Sequence, residues 1–144
     1  MARSNTNWVF IVDDDEDDRF LVQQVFNQQS PDSQLKTLSN GAELLETLAE
    51  SVRLPNLILL DLNMPVMSGL ETLERVRQNP AYESVPIVIL TTSDQAIDRQ
   101  VASRLRANGF ITKPPTIKQY NEVVLNLQRE WLSDTNRLAQ SGNA

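Results

Sequence analysis

The chain has 144 residues and a formal net charge of −6 at pH 7, with a pI near 4.6. This length fits one domain with a real hydrophobic core, and the acidic balance argues against nucleic acid as a partner, because phosphate-backbone binders display a concentrated basic face. The sequence contains no cysteine and no histidine, so disulfides, thiol nucleophiles and a histidine general base are all excluded.

The first predicted strand, from Trp8 to Val12, runs directly into an acidic stretch from Asp13 to Asp18. The helix dipole explains the later acids, because a helix follows them with Leu21, Val22, Val25 and Phe26 at helical spacing. The dipole does not explain Asp13 and Asp14, which follow the strand directly and are candidates for a metal site. A calcium-binding loop starting at Asp13 is excluded, since Asp18 occupies the position that requires glycine.

The second strand is predicted from Gln34 to Leu38, and its mixed polarity is typical of a sheet edge. Asn40 and Glu43 then have the spacing of a capping box, which predicts a helix that ends near Ser51.

The third strand is predicted from Leu57 to Asp61, shortly before Pro65. Four consecutive large aliphatic residues without polar alternation indicate a strand covered on both faces, as in a parallel sheet. A single aspartate at this position is also compatible with a helix cap or a turn. Ser68 and Glu71 form a second capping-box pattern that opens the next helix.

The fourth strand, from Val85 to Leu90, ends in the hydroxyl residues Thr91, Thr92 and Ser93, and a helix carrying Ile97, Val101 and Leu105 follows it. The fifth strand, from Gly109 to Thr112, ends in Lys113. Thr116 caps the last predicted helix, whose apolar residues are Tyr120, Val123, Val124, Leu127 and Trp131.

Five strands alternating with five helices predict an α/β fold with a doubly wound parallel sheet. In such a sheet the carboxyl ends of the strands share one edge, where ligands bind. That edge is predicted to gather the acids, hydroxyl and amine that end four of the strands, namely Asp13, Asp14, Asp61, Thr91 and Lys113. Three carboxylates without histidine suit magnesium, and a lysine with a hydroxyl suits phosphoryl oxygens.

The apolar runs are far shorter than the roughly 20 residues that a membrane-spanning helix requires, and the start of the chain contains no signal segment. We therefore expect a soluble, cytoplasmic protein without a membrane partner. One domain is predicted over residues 8–132, between an N-terminal tail at 1–7 and a polar C-terminal tail at 133–144.

Four short motifs resemble the receiver domain of two-component response regulators. They are Val12-Asp13-Asp14, Leu60 to Pro65 with Ser68-Gly69, Leu90-Thr91-Thr92, and Thr112-Lys113-Pro114. The resemblance covers about residues 8–132 and implies a flavodoxin-like sheet of strand order 2-1-3-4-5. Because no output domain follows the last helix, the chain is most similar to stand-alone receivers, and its long final helix resembles that of the partners of bacterial phytochrome kinases.

The resemblance implies a phosphorylated signalling protein rather than an enzyme, with Asp61 as the phosphoacceptor. The phosphoryl donor would be a sensor histidine kinase, of phytochrome type in the narrower resemblance, or a phosphotransfer protein. Mg²⁺ would be held by Asp14, Asp61 and the backbone carbonyl of Asn63, with Asp13 acting nearby. Thr91 and Lys113 would bind phosphoryl oxygens.

The family's switch is expected to operate through Thr91 and Phe110, which would reshape the face formed by the fourth helix, fifth strand and fifth helix. That face would bind a downstream protein or a second copy of the chain. The resemblance also implies that Asn63 and Ser93 flank the path of hydrolytic water and set the lifetime of the phosphorylated state.

Two other functions remain possible from the sequence. A haloacid-dehalogenase-like phosphatase also uses a strand-end aspartate, but it has a second aspartate two residues later, where this chain has Asn63. A degenerate receiver would bind partners without phosphorylation, although such domains usually lack one of the acids, the hydroxyl or the lysine, all of which are present here.

Overall fold

A computed structural model of the chain describes residues 7–132. Five strands form one parallel sheet in the order β2-β1-β3-β4-β5, which confirms the predicted doubly wound α/β fold. The strands are β1 (Trp8–Val12), β2 (Gln34–Leu38), β3 (Leu57–Leu60), β4 (Ile87–Thr91) and β5 (Gly109–Thr112). Both predicted tails, apart from Asn7, lie outside the described residues.

Five α-helices alternate with the strands, as the sequence predicts. They are α1 (Glu16–Gln29), α2 (Gly41–Glu50), α3 (Gly69–Arg77), α4 (Ala96–Arg104) and α5 (Ile117–Leu127). A 3₁₀ helix at Pro80–Tyr82 precedes β4, and a π-helical turn at Gln128–Leu132 extends α5. None of the helices within residues 7–132 has the length and apolar character needed to cross a membrane.

The sheet separates two hydrophobic layers, and β3 contributes to both because successive strand residues point to opposite faces. Ile58 and Leu60 pack on the side of α2, α3 and α4, whereas Leu57 and Leu59 pack on the side of α1 and α5. All four are buried, as expected for a strand covered on both faces. The position of β2 at the sheet edge confirms the interpretation of its mixed polarity.

Side-chain caps open four of the five α-helices. Asp15, Asn40, Ser68 and Thr116 each accept a hydrogen bond from a backbone N–H in the first turn of the helix that follows. The α4 helix differs, because Gln95 at its N-cap makes no such bond and Ala102 is its one buried residue. Ile97 of α4 is 56% exposed, so this helix rests on a small contact area.

The fourth strand runs from Ile87 to Thr91, whereas the sequence predicted Val85 to Leu90. Two further details differ from the sequence prediction. The strand β3 ends at Leu60, one residue before Asp61, so the aspartate lies in the loop that follows the strand. The second is the capping-box pattern of Glu43 and Glu71. The Glu43 side chain accepts from Ser39 rather than Asn40, and Glu71 pairs with Arg75.

Candidate functional site

Three carboxylates lie together at the carboxyl edge of the sheet. Oxygens of Asp13, Asp14 and Asp61 all lie within 4.8 Å of one another. The parallel register brings them together, because Val12 is paired with Leu60 and the backbone N–H of Asp61 donates to the carbonyl of Val12 at 3.0 Å. Asp13 and Asp61 are 4% and 5% exposed, whereas Asp14 is open to solvent.

The electrostatics of this cluster favour a bound cation. Burial raises the pKa of Asp13 to about 6, and repulsion from Asp61 adds to the rise even though Lys113 opposes it. Oxygen-only donors with several negative charges are the ligands that hard divalent cations prefer. The chemistry of the donor set therefore fits a divalent metal that Asp13, Asp14 and Asp61 could hold.

Lys113 follows β5 and extends its ammonium group into the acidic cluster. Its Nζ lies 2.7 Å from Asp13 Oδ2, 2.8 Å from Asp18 Oδ2 and 3.6 Å from Asp61 Oδ2. Burial alone would lower the pKa of Lys113, but hydrogen bonds to Asp13 and Asp18 raise it above its usual value. Lys113 therefore places a positive charge 3.6 Å from Asp61 Oδ2.

Asp18 is a member of this site that the sequence did not single out. It lies in the first turn of α1, where the helix dipole accounts for an acid without any further contact. Asp18 belongs to a run of six consecutive acids, so no spacing distinguishes it from Asp17. Only the approach of the segment after β5 to the start of α1 identifies it as a partner of Lys113.

The loop after β3 is held tightly against α3. The backbone N–H of Gly69 donates to the carbonyl of Leu62 at 2.9 Å. A Cβ at position 69 would lie 2.1 Å from the carbonyl oxygen of Asp61, so only glycine permits this approach. Asn63 is exposed, with its backbone N–H 3.4 Å from Asp61 Oδ1 and its amide 3.4 Å from the Thr92 hydroxyl.

Thr91 ends β4, and Ser93 in the loop that follows connects the site to α4. Thr91 is fully buried, and its carbonyl accepts from the backbone N–H of Lys113 at 2.6 Å. The Ser93 hydroxyl donates to Asp98 of α4 at 2.5 Å, while the Ser93 carbonyl accepts from the Thr112 hydroxyl at 3.2 Å. This loop therefore links β4, β5 and the start of α4.

Phe110, the predicted switch aromatic, is half-buried near the start of β5. The guanidinium carbon of Arg99 lies 4.6 Å from the centre of its ring, and Arg99 also donates to the Phe110 carbonyl at 3.3 Å. The cation therefore covers the aromatic ring from the α4 side. Phe110 lies in β5, the strand that leads directly to Lys113.

The sequence of this chain is similar to proteins of known family. A family model described as response regulator receiver domain matches residues 9–125. Response regulator Rcp1 from Synechocystis sp. is 34% identical over 129 residues, which cover 86% of this chain and 88% of Rcp1.

Solved structures have the same fold. The phosphorylated cyanobacterial phytochrome response regulator RcpA superposes with a TM-score of 0.82 at 29% identity, covering 89% of this chain and 95% of RcpA. The Mn²⁺-bound form of Rcp1 superposes with a TM-score of 0.79 at 32% identity, covering 89% of this chain and 96% of Rcp1.

Proposed function

The chain belongs to the response regulator receiver domain family, and we propose that it accepts a phosphoryl group on Asp61. The observation that carries this proposal is the environment of the Asp61 carboxylate. Asp61 is 5% exposed. Carboxylate oxygens of Asp61, Asp13 and Asp14 lie within 4.8 Å of one another, and the Lys113 Nζ lies 3.6 Å from Asp61 Oδ2. A nucleophile, a set of metal ligands and a fixed cation thus converge on one point.

In the proposed reaction, an Asp61 oxygen attacks the phosphorus of a phosphohistidine on the partner. The new O–P bond forms as the P–N bond breaks, and the imidazole nitrogen keeps the electron pair. Phosphoryl transfer of this kind depends mainly on positioning and electrostatic stabilisation. Lys113 and the Thr91 hydroxyl are the proposed partners of the phosphoryl oxygens, because they lie at the carboxyl ends of the adjacent strands β5 and β4, beside the strand that precedes Asp61.

The proposed metal is Mg²⁺, which bound here would neutralise charge on the phosphoryl oxygens. Asp13, Asp14, Asp61 and the backbone carbonyl of Asn63 would hold it. The donor set supports this assignment through its all-oxygen chemistry, and the Mn²⁺-bound form of the relative Rcp1 supports a divalent metal in this family.

The proposed output is a change in the face formed by α4, β5 and α5. A phosphoryl group adds a charge of about −1.5 to −2, which would draw the Thr91 hydroxyl inward and allow Phe110 to move towards a buried position. The sparse packing of α4, with Ala102 as its one buried residue, supports a helix that shifts easily. A downstream protein or a second copy of the chain would bind the altered face.

The proposed phosphoryl donor is a histidine kinase or a phosphotransfer protein. A phytochrome-type kinase is the more specific proposal, because the similar protein RcpA is a phytochrome response regulator. Asn63 and Ser93 are proposed to set the lifetime of the phosphorylated state. The exposed amide of Asn63 supports this role, whereas the Ser93 hydroxyl would have to leave Asp98.

The test is incubation with acetyl phosphate and Mg²⁺, followed by intact mass measurement. The wild type should gain one phosphoryl group and Asp61→Asn none, while Asp14→Asn should require more Mg²⁺ for the same labelling. Asp32→Asn is the control, since Asp32 is an exposed acid in the turn before β2. Equal labelling of the folded Asp61→Asn variant would contradict the proposal, as would its complete absence in the wild type.

A further inference from the structure

The Lys113 ammonium group lies closer to two other carboxylates than to the proposed phosphoacceptor. Its distances to Asp13 and Asp18 are 2.7 and 2.8 Å, against 3.6 Å to Asp61. Asp13 and Asp18 would therefore compete with a phosphoryl oxygen on Asp61 for the Lys113 ammonium group. Two of the three ammonium N–H donors already bind these carboxylates, so Asp13 and Asp18, rather than Asp61, set the position of the ammonium group.

Asp18 is the competitor that can be released. Its side chain is 34% exposed, whereas that of Asp13 is 6% exposed. Asp18 and Lys113 also border a cavity of about 290 Å³ between α1 and the start of α5, so the carboxylate has space into which it can turn. Asp13 is fixed more firmly, since its second oxygen accepts the backbone N–H of Asp15 at 2.9 Å.

We propose that Asp18 is a positioning residue that restrains the Lys113 ammonium until a phosphoryl group binds at Asp61. This inference rests on the proposed role of Asp61 as phosphoacceptor. Lys113 then exchanges its hydrogen bond to Asp18 for one to a phosphoryl oxygen, and no covalent bond or proton is transferred in that exchange. Asp18 therefore opposes phosphoryl binding by competing for the Lys113 ammonium group.

Stabilisation of α1 is the competing explanation for an acid at position 18. A matched change at Asp17 distinguishes this explanation from the proposed restraint of Lys113. Both acids lie in the first turn of α1, and the backbone N–H of each donates to the Asp15 cap. Asp17 is exposed, and within residues 7–132 its side chain makes no ion pair with Lys113. Asp17→Asn thus removes the same charge from the same helix turn without touching the lysine.

The first experiment measures the affinity for beryllofluoride, a phosphoryl mimic, by calorimetry at saturating Mg²⁺. Asp18→Asn should bind about two- to fivefold more tightly than wild type, the range typical of a partly exposed ion pair, with Asp17→Asn unchanged. Equal or weaker binding by Asp18→Asn overturns the inference alone. Failure of the wild type to bind beryllofluoride overturns the proposed function, and this inference with it.

The second experiment shows whether the effect passes through Lys113. The sequence has three lysines, and the other two, Lys36 and Lys118, are exposed, so the Nζ protons of Lys113 should be distinguished in nitrogen-15 spectra by slow exchange. Asp18→Asn should accelerate that exchange. It should also lose its affinity gain when combined with Lys113→Gln, and a gain that persists would assign the effect to general repulsion and overturn the inference.

Discussion

Replacing Gly69 with alanine tests how closely α3 approaches the segment that carries Asp61. An added Cβ would lie 2.1 Å from the carbonyl oxygen of Asp61, 2.8 Å from its carbonyl carbon and 2.6 Å from Leu62 Cα. All three are backbone atoms, so no side-chain rotation relieves the overlap. Either α3 or the loop after β3 has to move.

The size of the effect follows from two opposing terms. Overpacking a tight site typically costs up to about 3 kcal/mol, and contacts with rigid backbone place this case at that upper end. Alanine is preferred over glycine by about 1 kcal/mol in a helix interior, which is an upper limit for Gly69 at the first position of α3. The net loss of unfolding free energy is therefore about 2 kcal/mol, which lowers Tm by about 6 °C in a domain of this size.

Urea unfolding and the rate of labelling by acetyl phosphate measure the two consequences of Gly69→Ala. Labelling should slow because the displaced backbone carries the Asp61 carboxylate with it. Gly109→Ala is the control, since its Cβ would meet Val88 methyl carbons at 3.5 Å, an ordinary contact. If both variants are equally stable and both label at the wild-type rate, the inferred close approach of α3 is refuted.

Four further predictions concern charged groups. Because protonated Asp13 cannot serve a cation, Mg²⁺ affinity should fall as pH drops below the Asp13 pKa of about 6, approaching tenfold per pH unit, and Asp13→Asn should flatten that dependence in a calorimetric titration. Since the same pKa lies above the usual 3.8, the metal-free protein should lose stability, measured by urea unfolding, as pH rises between these values. Arg77→Met should lower the unfolding free energy, measured in urea, by about 3 kcal/mol, because buried oxygen acceptors lose their hydrogen-bond donor. The exposed Arg75→Met should lower it by about 0.5 kcal/mol or less. Arg99→Gln should accelerate amide exchange around Phe110, whereas Arg104→Gln on the same helix should not.

The positions of the main site residues were predictable because strand ends in a parallel sheet meet at one edge. Asp13 and Asp61 follow apolar runs, so their proximity requires only that β1 and β3 be neighbours. Lys113 likewise follows a short strand with a clear start at Gly109. These inferences depend on backbone topology, which hydrophobic patterning reflects directly.

Contacts between distant loops were not predictable from the sequence. Arg77 looks like an ordinary last-turn cation of α3, yet it is buried. Its guanidinium donates to the carbonyls of Tyr82, Val85 and Arg106 and to the Asn108 side chain. Burial lowers its pKa, and repulsion from Arg106 lowers it further. No periodicity or spacing encodes which carbonyls will surround a side chain, so the hydrogen bonds of Arg77 are visible only in the structure.

The packing of α4 was also beyond the sequence pattern. Ile97, Val101 and Leu105 have helical spacing, but Ile97 is exposed and the small Ala102 makes the buried contact. Helical spacing identifies a common stripe without fixing how the helix is rotated about its axis. The same limit applies to Asp18, whose contact with Lys113 depends on the path of the chain after β5.

The location of the phosphoryl group tests the central claim most directly. After labelling with acetyl phosphate and Mg²⁺, borohydride reduction converts an acyl phosphate on aspartate into homoserine, which peptide mass mapping then locates. We predict homoserine at position 61 alone, with Asp13 and Asp14 unmodified although their carboxylates lie within 4.8 Å of Asp61. Homoserine at either of those two positions, or an unmodified Asp61 in the labelled protein, would contradict the assignment of Asp61 as the phosphoacceptor.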